Sequence, residues 1–259
     1  MKKIALTSLL AVFAASSAMA ADHISNPMYR PDAKHFYSVT TVETTNEAVD
    51  AVWATEQFGY GITDRLAVEL AVTGAESDWF NAYIWDGLRL GVNYRVYDEG
   101  NWKADLYGAY GVEGIWGHGE YESFMNKNNT AYDWTVGTRF GYVAPMWTVA
   151  GHIEFNYLNT ESFNWDEKGL HTMAFGLDGF LTLNRFWNLV AGVEYNAFVD
   201  GDLWSQNLGY WTGKVGANFT IDNYKYIGVY VGKEMAHTGE GEWKFEDGYT
   251  FGAQFVIDF

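Results

Sequence analysis

Taken two residues at a time, this chain sorts itself into two kinds of surface. Leu66, Val68, Leu70 and Val72 alternate with Ala67, Glu69, Ala71 and Thr73, and Leu88, Leu90, Val92, Tyr94 and Val96 alternate with Arg89, Gly91, Asn93 and Arg95. Trp147, Val149, Gly151, Ile153, Phe155 and Tyr157 oppose Thr148, Ala150, His152, Glu154 and Asn156, and Trp187, Leu189, Ala191, Val193 and Tyr195 oppose Asn188, Val190, Gly192, Glu194 and Asn196. A period of two puts successive side chains on opposite faces of a strand, whereas a helix would mix these sets. The chain is therefore expected to be all-β, with one greasy, aromatic face and one small, charged face. Its 18% aromatic content, 28 glycines and only 3 prolines suit strands whose two faces meet different solvents.

A unit of about 36 to 46 residues recurs six times. Its second half carries a glycine, a polar residue two later and usually an aromatic: Gly91-Val-Asn93-Tyr94, Gly137-Thr-Arg139-Phe140, Gly176-Leu-Asp178-Gly-Phe180, Gly216-Ala-Asn218-Phe219 and Gly252-Ala-Gln254-Phe255, with Thr55-Glu-Gln57-Phe58 as a weaker first copy. Tight turn-forming connections follow the first five copies, at Asp64-Arg65, Asp98-Glu-Gly100-Asn101, Ala144-Pro145-Met146, Asn184-Arg185 and Asp222-Asn223. The connections on the other side, near 44-50, 75-86, 115-131, 159-169, 199-208 and 236-248, are longer and more polar. Twelve strands are expected, near 35-44, 51-61, 66-74, 85-97, 102-114, 132-143, 147-158, 170-183, 187-198, 209-221, 224-235 and 249-259. The first two alternate weakly, and this register turns Glu56 toward the apolar side, so a register shift or a bulge is expected there.

The chain opens with Met1-Lys2-Lys3, an apolar stretch from Ile4 to Ala15 and an Ala18-Met19-Ala20 cleavage pattern, which read as a signal peptide over residues 1-20. It closes on Tyr249-Thr-Phe251-Gly-Ala253-Gln-Phe255-Val-Ile257-Asp-Phe259, an alternating strand with a terminal aromatic. With the six short-turn, long-loop hairpins, these features resemble bacterial outer-membrane β-barrel proteins of the porin-like kind. The resemblance covers the whole mature chain. It implies a single closed antiparallel transmembrane barrel over residues 35-259, short periplasmic turns and longer extracellular loops. It also implies outer-membrane localisation, and Phe255, Ile257 and Phe259 as a signal read by the barrel assembly machinery. The apolar face would then meet lipid, with Tyr and Trp forming interfacial girdles. A soluble sandwich or lipocalin-like barrel would bury that face instead. Residues 21-34, with Pro27 and Pro31, read as a periplasmic N-terminal extension, or as a plug entering the lumen.

Losing Lys2 and Lys3 with the leader takes the net charge from −17 to about −19, which excludes nucleic acid as a partner because phosphate binding needs Lys and Arg. The absence of cysteine excludes a disulfide framework. The polar face carries Glu69, Asp105, Glu113, Glu154, Asp178, Glu194 and Asp258 with Arg89, Arg95, Lys103, Arg139 and Lys214. These either line a permeation path and select solutes by charge, or neutralise each other and brace the wall. The inward glycines either leave space or relieve crowding. Twelve strands about 4.8 Å apart, tilted about 40°, give a diameter of about 24 Å and a lumen on the order of 10 Å, enough for small solutes.

The outer loops hold much of the remaining acid, including Glu47, Glu76, Asp78, Glu120, Glu122, Asp166, Glu167, Asp200, Asp202, Glu242 and Glu246, and aromatics such as Trp79, Trp116, Trp165, Trp204 and Trp243. These admit a second reading as a surface-interaction barrel that binds lipopolysaccharide or a host surface. His171 and His152 admit a third, lipid hydrolysis, but His171 is followed by Thr172-Met173 and lacks the serine two residues on that outer-membrane phospholipases use. No H-E-x-x-H spacing occurs. The expectation is a monomeric passive channel for a small solute, not an enzyme, with no cofactor or metal and with outer-membrane lipid and lipopolysaccharide around it.

Overall fold

The computed structural model describes residues 26–45, 51–77, 82–118, 131–159, 169–199, 209–222, 225–237, 242–245 and 248–259. The expected leader lies outside them. Thirteen strands run in chain order: β1 (Phe36–Thr45), β2 (Ala51–Thr63), β3 (Leu66–Ser77), β4 (Ala82–Glu99), β5 (Trp102–His118), β6 (Ala131–Val143), β7 (Trp147–Leu158), β8 (Leu170–Thr182), β9 (Trp187–Phe198), β10 (Gly209–Asp222), β11 (Lys225–His237), β12 (Trp243–Phe245) and β13 (Thr250–Asp258). Each pairs antiparallel with its chain neighbour from β1 to β11, β11 pairs with β13, and β13 pairs with β1 from Tyr37 opposite Asp258 to Thr45 opposite Thr250. The sheet thus closes on itself as a barrel of twelve strands. The short β12 is an addition to the expected count: it falls within the anticipated loop 236-248 and pairs with Met235 to His237 of β11, continuing the wall beyond β13.

Closure leaves no edge except the rims, so backbone groups are satisfied within the sheet. The tight connections gather at one rim, called the turn end here, and use the expected chemistry. Gly100 takes φ 58° in the β4–β5 turn, a conformation that L side chains rarely adopt. Asn184 Oδ1 accepts the Phe186 and Trp187 amides at 2.9 and 3.1 Å, an Asx turn that reverses the chain into β9.

Which face is greasy decides the solvent. Leu90 is 60% exposed on the outside and Val136 52%, whereas Asp105 is 0% exposed and Arg139 and Glu154 are each 1% exposed inside. The apolar set covers the outer surface and the ionised set is enclosed, which inverts the arrangement of a soluble protein. Outer aromatics gather in two belts. Near the turn end Trp102 stacks on Phe140 with centroids 4.9 Å apart, and Tyr142 stacks on Trp147 at 5.2 Å. Toward the loop end, Trp134 meets Tyr157 at 5.8 Å and Tyr195 meets Trp211 at 4.9 Å.

Glu56 corrects one expectation. Bulges occur in the β2–β3 and β3–β4 pairings, but the carboxylate keeps its outward register beside Phe58. Ser38 and Thr40 of β1, also outward, donate to its two oxygens at 2.5 and 2.6 Å. The chain accommodates an acid on the outer face by solvating it with neighbouring hydroxyls rather than by turning it inward. Replacing Glu56 with Leu should therefore raise stability by roughly 1–2 kcal/mol in urea titrations of the barrel refolded into vesicles, since the outer face carries an acid where lipid favours an aliphatic. Replacing Ser38 and Thr40 with Ala should lower it.

Candidate functional site

Ten of the expected lumen residues, Glu69, Arg89, Arg95, Lys103, Asp105, Arg139, Glu154, Asp178, Glu194 and Lys214, lie at inward register positions of β3 to β10. The side chain of Glu113 lies outside the described residues, although its backbone pairs with Ala131. The fold also brings in acids that the sequence reading passed over: Glu43, Asp98, Asp133 and Glu234 face inward too, as does Asp258. Among the described residues, inward carboxylates outnumber inward Lys and Arg.

Their arrangement follows one rule. A long side chain from one strand lies over a glycine of the next and ends on the strand after that. Tyr107 of β5 occupies the place of a Cβ on Gly137 of β6, and its hydroxyl donates to Glu154 of β7 at 2.7 Å. The His152 ring of β7 covers Gly176 of β8 and meets Glu194 of β9 at 2.8 Å, while its other nitrogen meets Asp178 at 3.0 Å. Tyr37 of β1 covers Gly59 and reaches Glu69 of β3, which also accepts from Gln57 at 3.1 Å. Tyr230 of β11 covers Gly252 of β13 and donates to Glu43 of β1.

Arg89 of β4 reaches past β5 to Asp133 and Thr135 of β6, each at 2.5 Å, with the Asp133 carboxylate seated over Gly111. Thr135 passes the link to Asn156 of β7 at 2.6 Å. Asp178 sits over Gly192, with the Lys214 stem beside it, and the Lys214 ammonium lies 5.9 Å from the Tyr230 ring centre.

Inward glycines such as Gly59, Gly137, Gly176 and Gly252 thus relieve crowding, each lying under a ring from a neighbouring strand. They are slots in which side chains from neighbouring strands lie over the sheet. Linked in this way, the inward polar groups pack closely against one another, and Asp105, Arg139, Glu154 and His152 are all nearly inaccessible to water. Two of the gaps that remain have volumes of about 40 and 30 Å³, room for a few waters. The larger borders Pro27, Asp178, Lys214 and Tyr230, and the smaller borders Gln57, Glu69, Arg89 and Tyr107.

Residues 26–31 contact inward side chains. Pro27 O accepts from Arg139 at 2.8 Å and Met28 O from Arg95 at 2.7 Å, while Arg95 also holds Asp105 through two hydrogen bonds at 2.7 and 3.0 Å. Tyr29 donates to Asp258 at 3.0 Å, and burial together with that carboxylate pushes the Tyr29 pKa up, so the hydroxyl keeps its proton.

His171 points outward and packs on Phe155 and Tyr157 at centroid distances of 5.8 and 4.8 Å, as part of the outer belt. Both nitrogens of His152 are engaged by carboxylates, so neither is poised against a serine or threonine hydroxyl as nucleophile activation requires. Of the loop residues, Glu242 pairs with Lys244 at 3.2 Å, and Trp243 packs edge-on against Tyr195 and His237. Glu47, Asp78, Glu120, Glu122, Asp166, Glu167, Asp200, Asp202 and Glu246, with Trp79, Trp165 and Trp204, lie outside the described residues, as does the Trp116 side chain.

No family model matches this chain, and no curated protein does. Solved structures do. The KdgM porin superposes with a TM-score of 0.56 at 11% identity, over 86% of this chain and 99% of its own. The NanC porin gives 0.57 at 7% identity, over 85% and 98%. An outer membrane channel from Pseudomonas putida F1 gives 0.55 at 13% identity, over 89% and 97%. At these identities the likeness shows the fold alone: a closed antiparallel β-barrel like those of the two porins and the channel.

Proposed function

We propose that this protein is exported by a cleaved leader to the outer membrane and serves there as a porin-like passive channel for a small solute. It acts as a steric and electrostatic filter without bond chemistry. The observation that carries this reading is the lumen wall: a closed ring of twelve strands encloses a polar interior of ionised side chains, several of them lying over glycine slots. Barrels of the same fold that are porins and channels support it. Surrounding lipid and lipopolysaccharide are the outer partners, and the barrel assembly machinery reads the Phe255, Ile257 and Phe259 face.

The excess of inward carboxylates sets the sign of the filter, because a low-dielectric tube lined by one charge concentrates the opposite ion. In planar bilayers the purified protein should give discrete conductance steps, with cations preferred over chloride in a salt gradient. Replacing Asp178 with Asn together with Glu234 with Gln should move the reversal potential toward zero. A barrel that inserts and stays silent would refute the channel.

A further inference from the structure

We propose that residues 26–31 form a fixed strap across the bore near the turn end, and that this strap rather than the barrel wall sets the size limit of the channel. The inference rests on the channel reading and adds the constriction to it.

Six consecutive residues reach walls on opposite sides. Met28 is bound through its carbonyl by Arg95 of β4, while Pro27 borders the cavity it shares with Lys214 of β10. In a ring of twelve strands β4 and β10 are six places apart in either direction, so the segment lies between opposite walls, held by Arg95 on one side and facing β10 across a small cavity on the other. The remaining tethers differ from these. Pro27 O is held by Arg139 of β6, Tyr29 by Asp258 of β13 and, edge-on at 6.0 Å, by the Tyr37 ring of β1. Arg30 donates to the backbone carbonyls of Asp64 and Arg65 in the β2–β3 turn. A segment tied to so many parts of a closed wall can only cross its interior.

The seat is built for it. Met28 is 3% exposed, and its side chain lies where a Cβ on Gly141 would be, against Ala150, so the wall is pared to its smallest residues at that level. Gly61 is likewise covered by the carbonyls of Pro31 and Asp32, where the segment leaves the bore. The two guanidinium contacts are charge-assisted, and Arg95 is oriented beforehand by its fork onto Asp105. Two prolines in the segment reduce the chain entropy lost when it docks. Lys34, with φ 70°, and its amide bond to Gly61 O at 2.6 Å then turn the chain into β1.

The test compares the full-length mature barrel with a deletion of 26–31 and with a same-length Gly/Ser replacement, each checked for closure by heat-modifiable gel mobility. Removing or replacing the strap should raise single-channel conductance several-fold and admit neutral sugars that the intact channel excludes. Unchanged conductance and exclusion limit in both variants would overturn the strap. A second measurement does not depend on conduction. The chain has no cysteine, so M28C introduces a single thiol. It should resist alkylation by a water-soluble maleimide in the folded barrel and react when Arg95 and Arg139 are both replaced by Ala. Fast alkylation of M28C with both arginines in place would overturn the seat. If every barrel is silent, the channel reading fails and the size limit with it, and protection of M28C then still distinguishes a seated strap from an absent one.

Discussion

Arg89→Met is expected to cost the barrel about 3–5 kcal/mol, because it strands the Asp133 carboxylate inside a wall from which water is largely excluded. The pair is 2.5 Å apart, and its side chains are 9% and 5% exposed. An ion pair so enclosed adds little net stability over an apolar pair, but either half left alone carries its full desolvation penalty. The double replacement Arg89→Met with Asp133→Leu should therefore recover most of the loss. Urea midpoints of the protein refolded into lipid vesicles measure both. A single variant as stable as the parent would show that the lumen is wet enough at this level to solvate a lone charge.

The second large effect concerns the slots. Valine at Gly137 would put its Cβ about where the Tyr107 ring now sits, 2.5 Å from the nearest ring carbon. The ring would have to lift from the wall and release Glu154, so Gly137→Val should destabilise by about 1–3 kcal/mol, the usual range for overpacking. Gly213 of β10 faces outward with no atom within 4 Å of an added Cβ, and the same substitution there should be close to neutral. Tyr107→Ser alone loses the bond to Glu154, but combined with Gly137→Val it should cost less than the two separately. That non-additivity is the signature of two residues sharing one site. Strictly additive losses would mean that the ring and the glycine are independent.

The fold was readable because lipid and lumen impose opposite chemistry on alternate residues. Trp147 through Leu158 carries that alternation without interruption, and β7 has the expected bounds. Strand ends were less readable: β4 and β5 extend to 18 and 17 residues, past the expected 85-97 and 102-114, across a register shift between Trp85 and Gly87 that breaks the period of two. β12 is only three residues long, too short to show a period. For the lumen, parity alone placed Glu154, Asp178 and Glu194 on the inner face.

Partners were not readable in the same way. A link such as Tyr107 to Glu154 skips a strand, and so depends on register across two pairings at once. Tyr37, Tyr107 and Tyr230, which the sequence reading did not single out, are inward donors. Their parity with Val39, Asp105 and Gly232 was the available clue. Glu56 failed for the opposite reason: its hydroxyl partners lie one strand away on a face where only hydrocarbon was anticipated.

The join between the first and last strands fixes the order of assembly. Phe259 donates its amide to Phe36 O at 2.7 Å, beside the β1–β13 register that closes the sheet. Closure needs β13, and every state that lacks it carries two raw sheet margins that invite foreign strands. Such a polypeptide has to be shielded from emergence until β13 arrives. A nascent copy truncated by even one hairpin would remain an open ribbon, prone to pairing with its neighbours instead of with itself.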